Sequence, residues 1–528
     1  MTKRTLTILV SVFWLFALCG QTGDSARPFV LDPVIAAAET NYIENDAALK
    51  TLFYMLDSLK TGKKQRLTIL HIGDSHLQGD YLSRTIRYRL QKEFGEAGRG
   101  LVFPYSLFNM YGPVDYSCSS NVAWQHSRMF PRERNGPVGL AGYAVLTNNP
   151  NMKLDVRLFQ PSKLYFGAMT NFSQFPSNKF NTVKILYSND SLALPFTVSG
   201  LKSDNTAGQI FKAPQFTSSS SPGYQYAEFL LDDEYTAMSL KADTQHAFSH
   251  PVRLYGMSFE NSNNSGVLYH MAGVGACQLS DFLGATHFFG HTVMLKPDLI
   301  IFSLGANESC TRGFDTLGYT SKFGQLIQDL RASLPGVQFL ITTPPDILFR
   351  GTRPPAMDAI CRTLGRIAVS ENCGFWNLNQ TMGGPWSNQY WFQNKLNNPD
   401  RIHFSPRGYD FLGLLFTEAL FNSYGRFAKT PVDIQSVLTN TAEYRELFSV
   451  MKIDKNKPRI AAYQPKPVTQ TPQKPTVYVG GAVYHTVRSG ESVYSISRKY
   501  GVNYRNIQKL NGFKDNTIIR PGQRIRVR

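Results

Sequence analysis

Two textures of apolar and polar residues alternate along this chain. Residues 67–73 (Leu-Thr-Ile-Leu-His-Ile-Gly) are almost uniformly apolar and short, the pattern of a strand buried on both faces. Leu82, Ile86, Leu90 and Phe94 follow at four-residue spacing and predict a helix, while residues 41–60 read as a lead-in helix. The same alternation returns later. Residues 296–304 predict a second buried strand, 319–334 a helix, 337–342 a third strand ending at Pro344-Pro345, and 406–424 a closing helix. Buried strands separated by helices predict an α/β fold with a parallel sheet, whose ligands bind beyond the carboxyl ends of the strands.

Between about residues 107 and 264 the period drops to two. Short alternating runs at 154–159, 164–169, 183–187, 224–231, 237–242 and 252–259 are separated by Gly, Ser, Asn and Pro, which predicts a β-sandwich inserted into the α/β unit. The α/β unit is therefore expected in two pieces, 41–106 and 265–430. Residues 454–481, rich in Pro, Lys, Gln and Thr, predict an extended tether, and 484–528 a separate compact unit. At the other end Lys3 and Arg4 precede an apolar run over 6–18, the pattern of an export signal spanning 1–19. Leu18 stands where a lipidated Cys19 would need a small residue. The expected location is outside the cytoplasm: periplasm, cell surface or medium.

Charge refines this picture. The 528 residues carry a net +17, but 451–528 hold sixteen Lys/Arg against three Asp/Glu, so +13 sits in the tail and only about +4 in the first 450. A basic tail suits an anionic wall polymer; a nucleic-acid groove in the large unit is not expected. Six cysteines (19, 118, 277, 310, 361, 373) show no metal-ligand spacing. Neither metal nor cofactor is expected. Cys361–Cys373 and Cys277–Cys310 are candidate bridges, against ordinary buried thiols.

The unusual residues fall at strand ends. Gly73-Asp74-Ser75-His76 closes the first strand and opens a helix; Gly273-Val274-Gly275-Ala276 is a small-residue turn that lets backbone N–H groups approach a ligand. Gly305-Ala306-Asn307-Glu308 follows the strand of 296–304, and Asp400-Arg401-Ile402-His403 precedes the closing helix. Asp and His three apart on a loop can face one serine, the carboxylate orienting the imidazole that takes the serine proton. Asp74 reads as a turn or cap residue, His76 as a residue that positions the loop or touches substrate, and His270 and His291 as packing or surface residues.

In order and spacing the four motifs resemble blocks I, II, III and V of the SGNH, or GDSL, hydrolases. The resemblance covers residues 64–105 and 266–425. It implies a flavodoxin-like three-layer α/β/α fold and ester hydrolysis without metal. By position it makes Ser75 the nucleophile, His403 the general base and acid, and Asp400 its orienting partner. The Ser75 N–H, Gly275 and Asn307 would form the oxyanion hole. Block II departs from the family pattern by lacking its Asn. The inserted β-rich stretch is arranged like the carbohydrate-binding-like insert of peptidoglycan O-acetylesterases.

Residues 484–528 resemble a LysM domain, from His485-Thr486-Val487-Arg488-Ser489-Gly490 to Pro521-Gly522 and Val527. The resemblance implies a βααβ unit that binds an N-acetylglucosamine polymer such as peptidoglycan. Its two ligand loops map onto Gly490, Glu491, Ser492 and Val493 and onto Asn516, Thr517, Ile518 and Ile519. Val493, Ile496 and Ile507 also fit a plain core role. Together these readings imply an exported esterase that removes O-acetyl groups from a cell-wall glycan. A general carboxylesterase or dietary-glycan acetylesterase, an O-acetyltransferase and a silent wall-binding scaffold remain as alternatives.

Overall fold

A computed structural model of the chain describes residues 41–428 and 482–527, except 131–135, 160–176, 189–193, 213, 215, 222–223, 244–250, 488–492, 501, 503, 514–518 and 521. The expected signal, the strand at 164–169 and the tether lie outside the described residues.

Five parallel strands form the central sheet: β1 (Arg66–Gly73), β2 (Gly266–Gly273), β3 (Leu299–Ser303), β4 (Gln338–Thr342) and β5 (Gly374–Trp376). Their order is β2-β1-β3-β4-β5, the flavodoxin-like arrangement. The strands are mostly apolar and almost wholly buried because both faces are covered. Leu67, Ile69, Leu299, Ile301 and Leu340 pack with the helices α1 (Lys50–Lys60), α3 (Tyr81–Phe94) and α6 (Pro406–Gly425). Leu70, Ile72, Ile300, Phe302, Phe339 and Ile341 pack with α4 (Thr316–Ser333) and α5 (Met357–Ser370) on the other side. Strand order reverses direction at β1, between β2 and β3, so the crevice at the carboxyl ends of these strands is the natural binding position.

Within 107–264 the described strands lie in two antiparallel sheets. Gln125–Arg128, Tyr143–Thr147, Phe180–Ser188, Phe216–Ser221, Tyr224–Tyr235 and Val252–Glu260 belong to one, and Tyr116–Ser120, Lys153–Leu158, Phe196–Leu201, Ala207–Phe211 and Ala237–Ala242 to the other. Leu154, Val156, Val198 and Leu240 from one sheet share a core with Val183, Ile185, Phe229 and Leu254 from the other. That core runs on without a break into the Leu70/Ile72 face of the parallel sheet. Gly100–Val102, before the expected start of the insert, already pairs with Val252–Glu260.

The seam between the layers holds a buried ring of charge. Arg87 on α3 donates to Asp80 (2.9 Å) and Asp115 (2.6 Å), and Arg99 donates to the same two carboxylates (2.7 and 2.8 Å). All four side chains are at most 1% exposed. Burial pushes the Asp115 carboxyl up, but the two guanidinium groups outweigh it and hold it below the usual carboxylate range.

The candidate disulfides do not form. Cys118, Cys277, Cys310, Cys361 and Cys373 are all free thiols. Cys277 Sγ meets Met129 Sδ at 3.5 Å and Cys373 Sγ meets the Glu371 carbonyl, so these sulfurs pack as small buried groups in separate places. In the C-terminal unit, Tyr484–Thr486 pairs antiparallel with Arg524–Arg526 around the helices Val493–Tyr500 and Tyr504–Asn511. Val487, Ile496, Ile507, Ile525 and Val527 form its core. No helix among the described residues is long and apolar enough to cross a membrane.

Candidate active site

Ser75 opens the short helix α2 (Ser75–Gln78) directly beyond the end of β1. Asp74 is its N-cap, accepting from the His76 N–H at 3.0 Å. Burial pushes the Asp74 carboxyl up to about 6, against the backbone N–H groups that bond it. Asp74 thus shapes the turn. His76 lies beside His403, ring centroids 5.6 Å apart, but is engaged elsewhere: Nδ1 meets the Tyr409 hydroxyl at 3.1 Å, and burial, with the nearby His403, pushes its pKa down to about 3. A ring that stays neutral and enclosed is no base for Ser75. His270 and His291 are buried as well, within the packed interior.

Asp400 and His403 come from a tight turn closed by the bridge between Asn397 and Phe404. Arg401 takes the left-handed conformation at its bend (φ 56°), which swings Asp400 and His403 to one side. The Arg401 carbonyl is gripped by the Leu348 N–H and by Asn388 Nδ2, each at 3.0 Å. Ser405 then caps α6, with Pro406 in its first turn, so the turn is fixed at both ends.

The three side chains join in one line. His403 Nε2 lies 2.9 Å from Ser75 Oγ, and His403 Nδ1 lies 2.7 Å from Asp400 Oδ2. Asp400 Oδ1 accepts from the backbone N–H groups of Ile402 and His403, each at 3.0 Å. Burial raises the Asp400 carboxyl, but the hydrogen bonds from His403 and from the two backbone N–H groups outweigh it, so the group stays below the usual carboxylate range. It is ionised whenever His403 needs orienting. An arrangement of this kind can pass the serine proton to imidazole and present the oxygen as a nucleophile.

Beside Ser75 stand two more strand ends. Gly273 is locked in the ladder opposite Gly73, so of the two block II glycines only Gly275 lies in the turn beyond the strand. Its N–H donates to Gln78 Oε1 at 2.8 Å. Gly305, at φ 123° where only glycine sits comfortably, turns the chain after β3 and brings Asn307 over the β2 turn. Asn307 Nδ2 donates to the Cys277 carbonyl at 3.0 Å. The next residue, Glu308, is buried and accepts from the Leu279 N–H at 2.8 Å; burial pushes its pKa up to about 7. Asn307 and Glu308 therefore clamp residues 277–279 from the β3 side. The sequence reading missed Gln78, Glu308 and Tyr409.

Residues 247–411 match the model of the GDSL-like lipase/acylhydrolase family, a stretch that includes Gly275, Asn307, Asp400 and His403; residues 485–528 match the LysM domain. The chain carries a GDSL-like acylhydrolase domain followed by a LysM domain. Ser75 lies outside the matched stretch and meets it at His403, 2.9 Å from its Oγ. A solved structure of a peptidoglycan O-acetylesterase shares the fold with a TM-score of 0.57, at 21% identity over 71% of this chain and 96% of that one. N-acetylmuramoyl-L-alanine amidase sle1 of Staphylococcus aureus is 42% identical over 59 residues, 11% of this chain and 17% of the amidase. The match thus spans about a sixth of that relative's length.

In the LysM unit, Gly490, Glu491, Ser492, Asn516, Thr517 and Ile518 lie outside the described residues. Val493 and Ile519 pack, partly buried, against the unit's core, and Ile496 and Ile507 are inside it.

Proposed function

We propose that the chain is an exported serine esterase that removes O-acetyl groups from a cell-wall glycan, with peptidoglycan as the substrate, and that its LysM unit holds it on that polymer. The continuous line from Ser75 Oγ through His403 to Asp400 carries this reading. The fold shared with a peptidoglycan O-acetylesterase and the LysM match support the choice of polymer.

In this reading Ser75 Oγ attacks the acetyl carbonyl while His403 Nε2 takes its proton. The oxyanion of the tetrahedral intermediate is held by the N–H groups of Ser75 and Gly275 and by Asn307 Nδ2. His403 then returns the proton to the sugar oxygen, which leaves as a hydroxyl and gives acetyl-Ser75. Water, deprotonated by His403, attacks the acetyl-enzyme and releases acetate and Ser75. Asn307→Ala should lower kcat by roughly 10²–10³-fold with little change in KM, because the donor acts on transition-state charge. A loss confined to KM would make Asn307 a binding residue.

Acetate release from O-acetylated sacculi, set against release from acetyl-xylan, tests the substrate. Clear preference for xylan would overturn the peptidoglycan reading. The division of labour is open to a separate check. Removing residues 454–528 should leave hydrolysis of a small soluble acetyl ester unchanged, since Ser75, Asn307, Asp400 and His403 all precede the cut. Release from insoluble sacculi should fall, because the tether no longer raises the local concentration of enzyme at the polymer. Equal rates on sacculi with and without the unit would remove its anchoring role.

A further inference from the structure

One hydrogen bond in the site opposes the reaction just described. The Gly275 N–H donates to Gln78 Oε1 at 2.8 Å, and Gln78 Nε2 donates in turn to the Tyr111 carbonyl at 3.1 Å. A backbone N–H carries one proton and points in one direction. An oxyanion that uses the Gly275 donor must therefore stand where the Gln78 oxygen now stands. That oxygen belongs to an amide carbonyl, the nearest protein equivalent of the acyl carbonyl of a substrate.

The surrounding groups leave Gln78 as the part that yields. An ideal Cβ at Gly273 would lie 2.5 Å from the backbone of Leu77 and Gln78, so the end of β2 is packed directly against the backbone of α2. At Gly275 such a Cβ would come within 2.6 Å of Gln78 Oε1, which shows how closely the amide sits on the turn. Gln78 is only half-buried and its side chain has rotatable bonds leading towards water. Its other partner belongs to Tyr111, which is 58% exposed and lies over Gly79, four residues beyond Ser75.

We infer that Gln78 is a resident plug of the oxyanion hole, an internal carbonyl that the acyl carbonyl of the substrate must displace from Gly275 before Ser75 can attack. The inference rests on the esterase reading above. In the resting site the plug satisfies the Gly275 donor. On displacement, that hydrogen bond passes from a neutral amide oxygen to the developing oxyanion, where a charge-assisted bond is stronger. The cost of displacement falls on every turnover and equals about one neutral hydrogen bond.

Steady-state hydrolysis of p-nitrophenyl acetate by the full chain, with Gln78→Ala, Gln78→Glu and Ser75→Ala side by side, tests the plug. Gln78→Ala should raise kcat/KM by about 3- to 10-fold, the worth of one neutral hydrogen bond. Gln78→Glu keeps the length of the side chain but holds the Gly275 N–H more tightly and sets a negative charge beside the oxyanion. It should lower kcat/KM at neutral pH, with partial recovery as the new carboxylate is protonated. A residue that merely aligned the Gly275 turn would lose kcat in both variants, and that result, or an unchanged rate for Gln78→Ala, would overturn the plug. Ser75→Ala separates the two claims. If it is inactive and Gln78→Ala is not faster, the plug fails and the esterase stands. If Ser75→Ala remains active, the esterase reading itself fails.

Discussion

Ser75→Ala should lower kcat for acetyl-ester hydrolysis by roughly 10⁴- to 10⁶-fold, the scale on which loss of the nucleophile disables a hydrolytic triad. The fold should be unaffected. Ser75 is the first residue of α2, and the cap that fixes this turn is the neighbouring carboxylate of Asp74, which accepts from the His76 N–H. Removing one oxygen leaves His403 bonded to Asp400 and Asp400 bonded to the backbone of its own turn. Thermal melting should coincide with that of the wild type while turnover disappears. Turnover within tenfold of the wild type would mean that the line from Ser75 to Asp400 is not the reaction centre.

A second large effect is expected far from any chemistry on the substrate. Asp115→Ala should destabilise the protein by about 3–5 kcal/mol, the usual cost of removing one partner from a fully buried ion pair. Asp80, Arg87, Arg99 and Asp115 balance as two positive and two negative charges, each held by two partners of opposite sign. Without Asp115, two guanidinium groups at most 1% exposed would share the single Asp80 carboxylate. Asp80 also starts α3 in the left-handed conformation (φ 58°), immediately after the Gly79 that follows α2. A shift of this ring would therefore reach the turn that presents Ser75. Denaturant unfolding followed by fluorescence would read the loss, and a change under 1 kcal/mol would show that the ring is not a joint between the layers.

The sequence made the loops of the candidate site readable and left their partners hidden, for physical reasons. The runs at 67–73 and 337–342 are apolar because helices cover both faces of the sheet, so β1 and β4 stood out. β5 has three residues, too few for any period, and β2 runs from glycine to glycine, which reads as turn chemistry until its register with β1 is seen. Asp400 and His403 are three apart, so one local turn brings them together, and their geometry could be anticipated. Gln78 and Gly275 are separated by 197 residues, and only the sheet order brings them into contact. The same holds for the charge ring. Arg84, Arg87 and Arg89 on α3 look like solvated surface residues, yet all three are buried, Arg84 against Asp410 of α6 and Arg87 against Asp80 and Asp115. In the insert, alternation marked Lys153–Leu158, Phe180–Ser188, Tyr224–Tyr235, Ala237–Ala242 and Val252–Glu260 but not the other six described strands, and the pairing of Phe180–Ser188 with Tyr224–Tyr235 and Val252–Glu260 is set by long-range packing.

The most direct test of the account is covalent capture of the nucleophile. The full chain treated with a small serine-reactive fluorophosphonate should gain one adduct, and peptide mapping by mass spectrometry should place it on Ser75. The rate of labelling should collapse in His403→Ala, because the proposed base is that imidazole, whose Nε2 lies 2.9 Å from Ser75 Oγ. An adduct on any other residue, or labelling of Ser75 that proceeds equally fast without His403, would contradict the account.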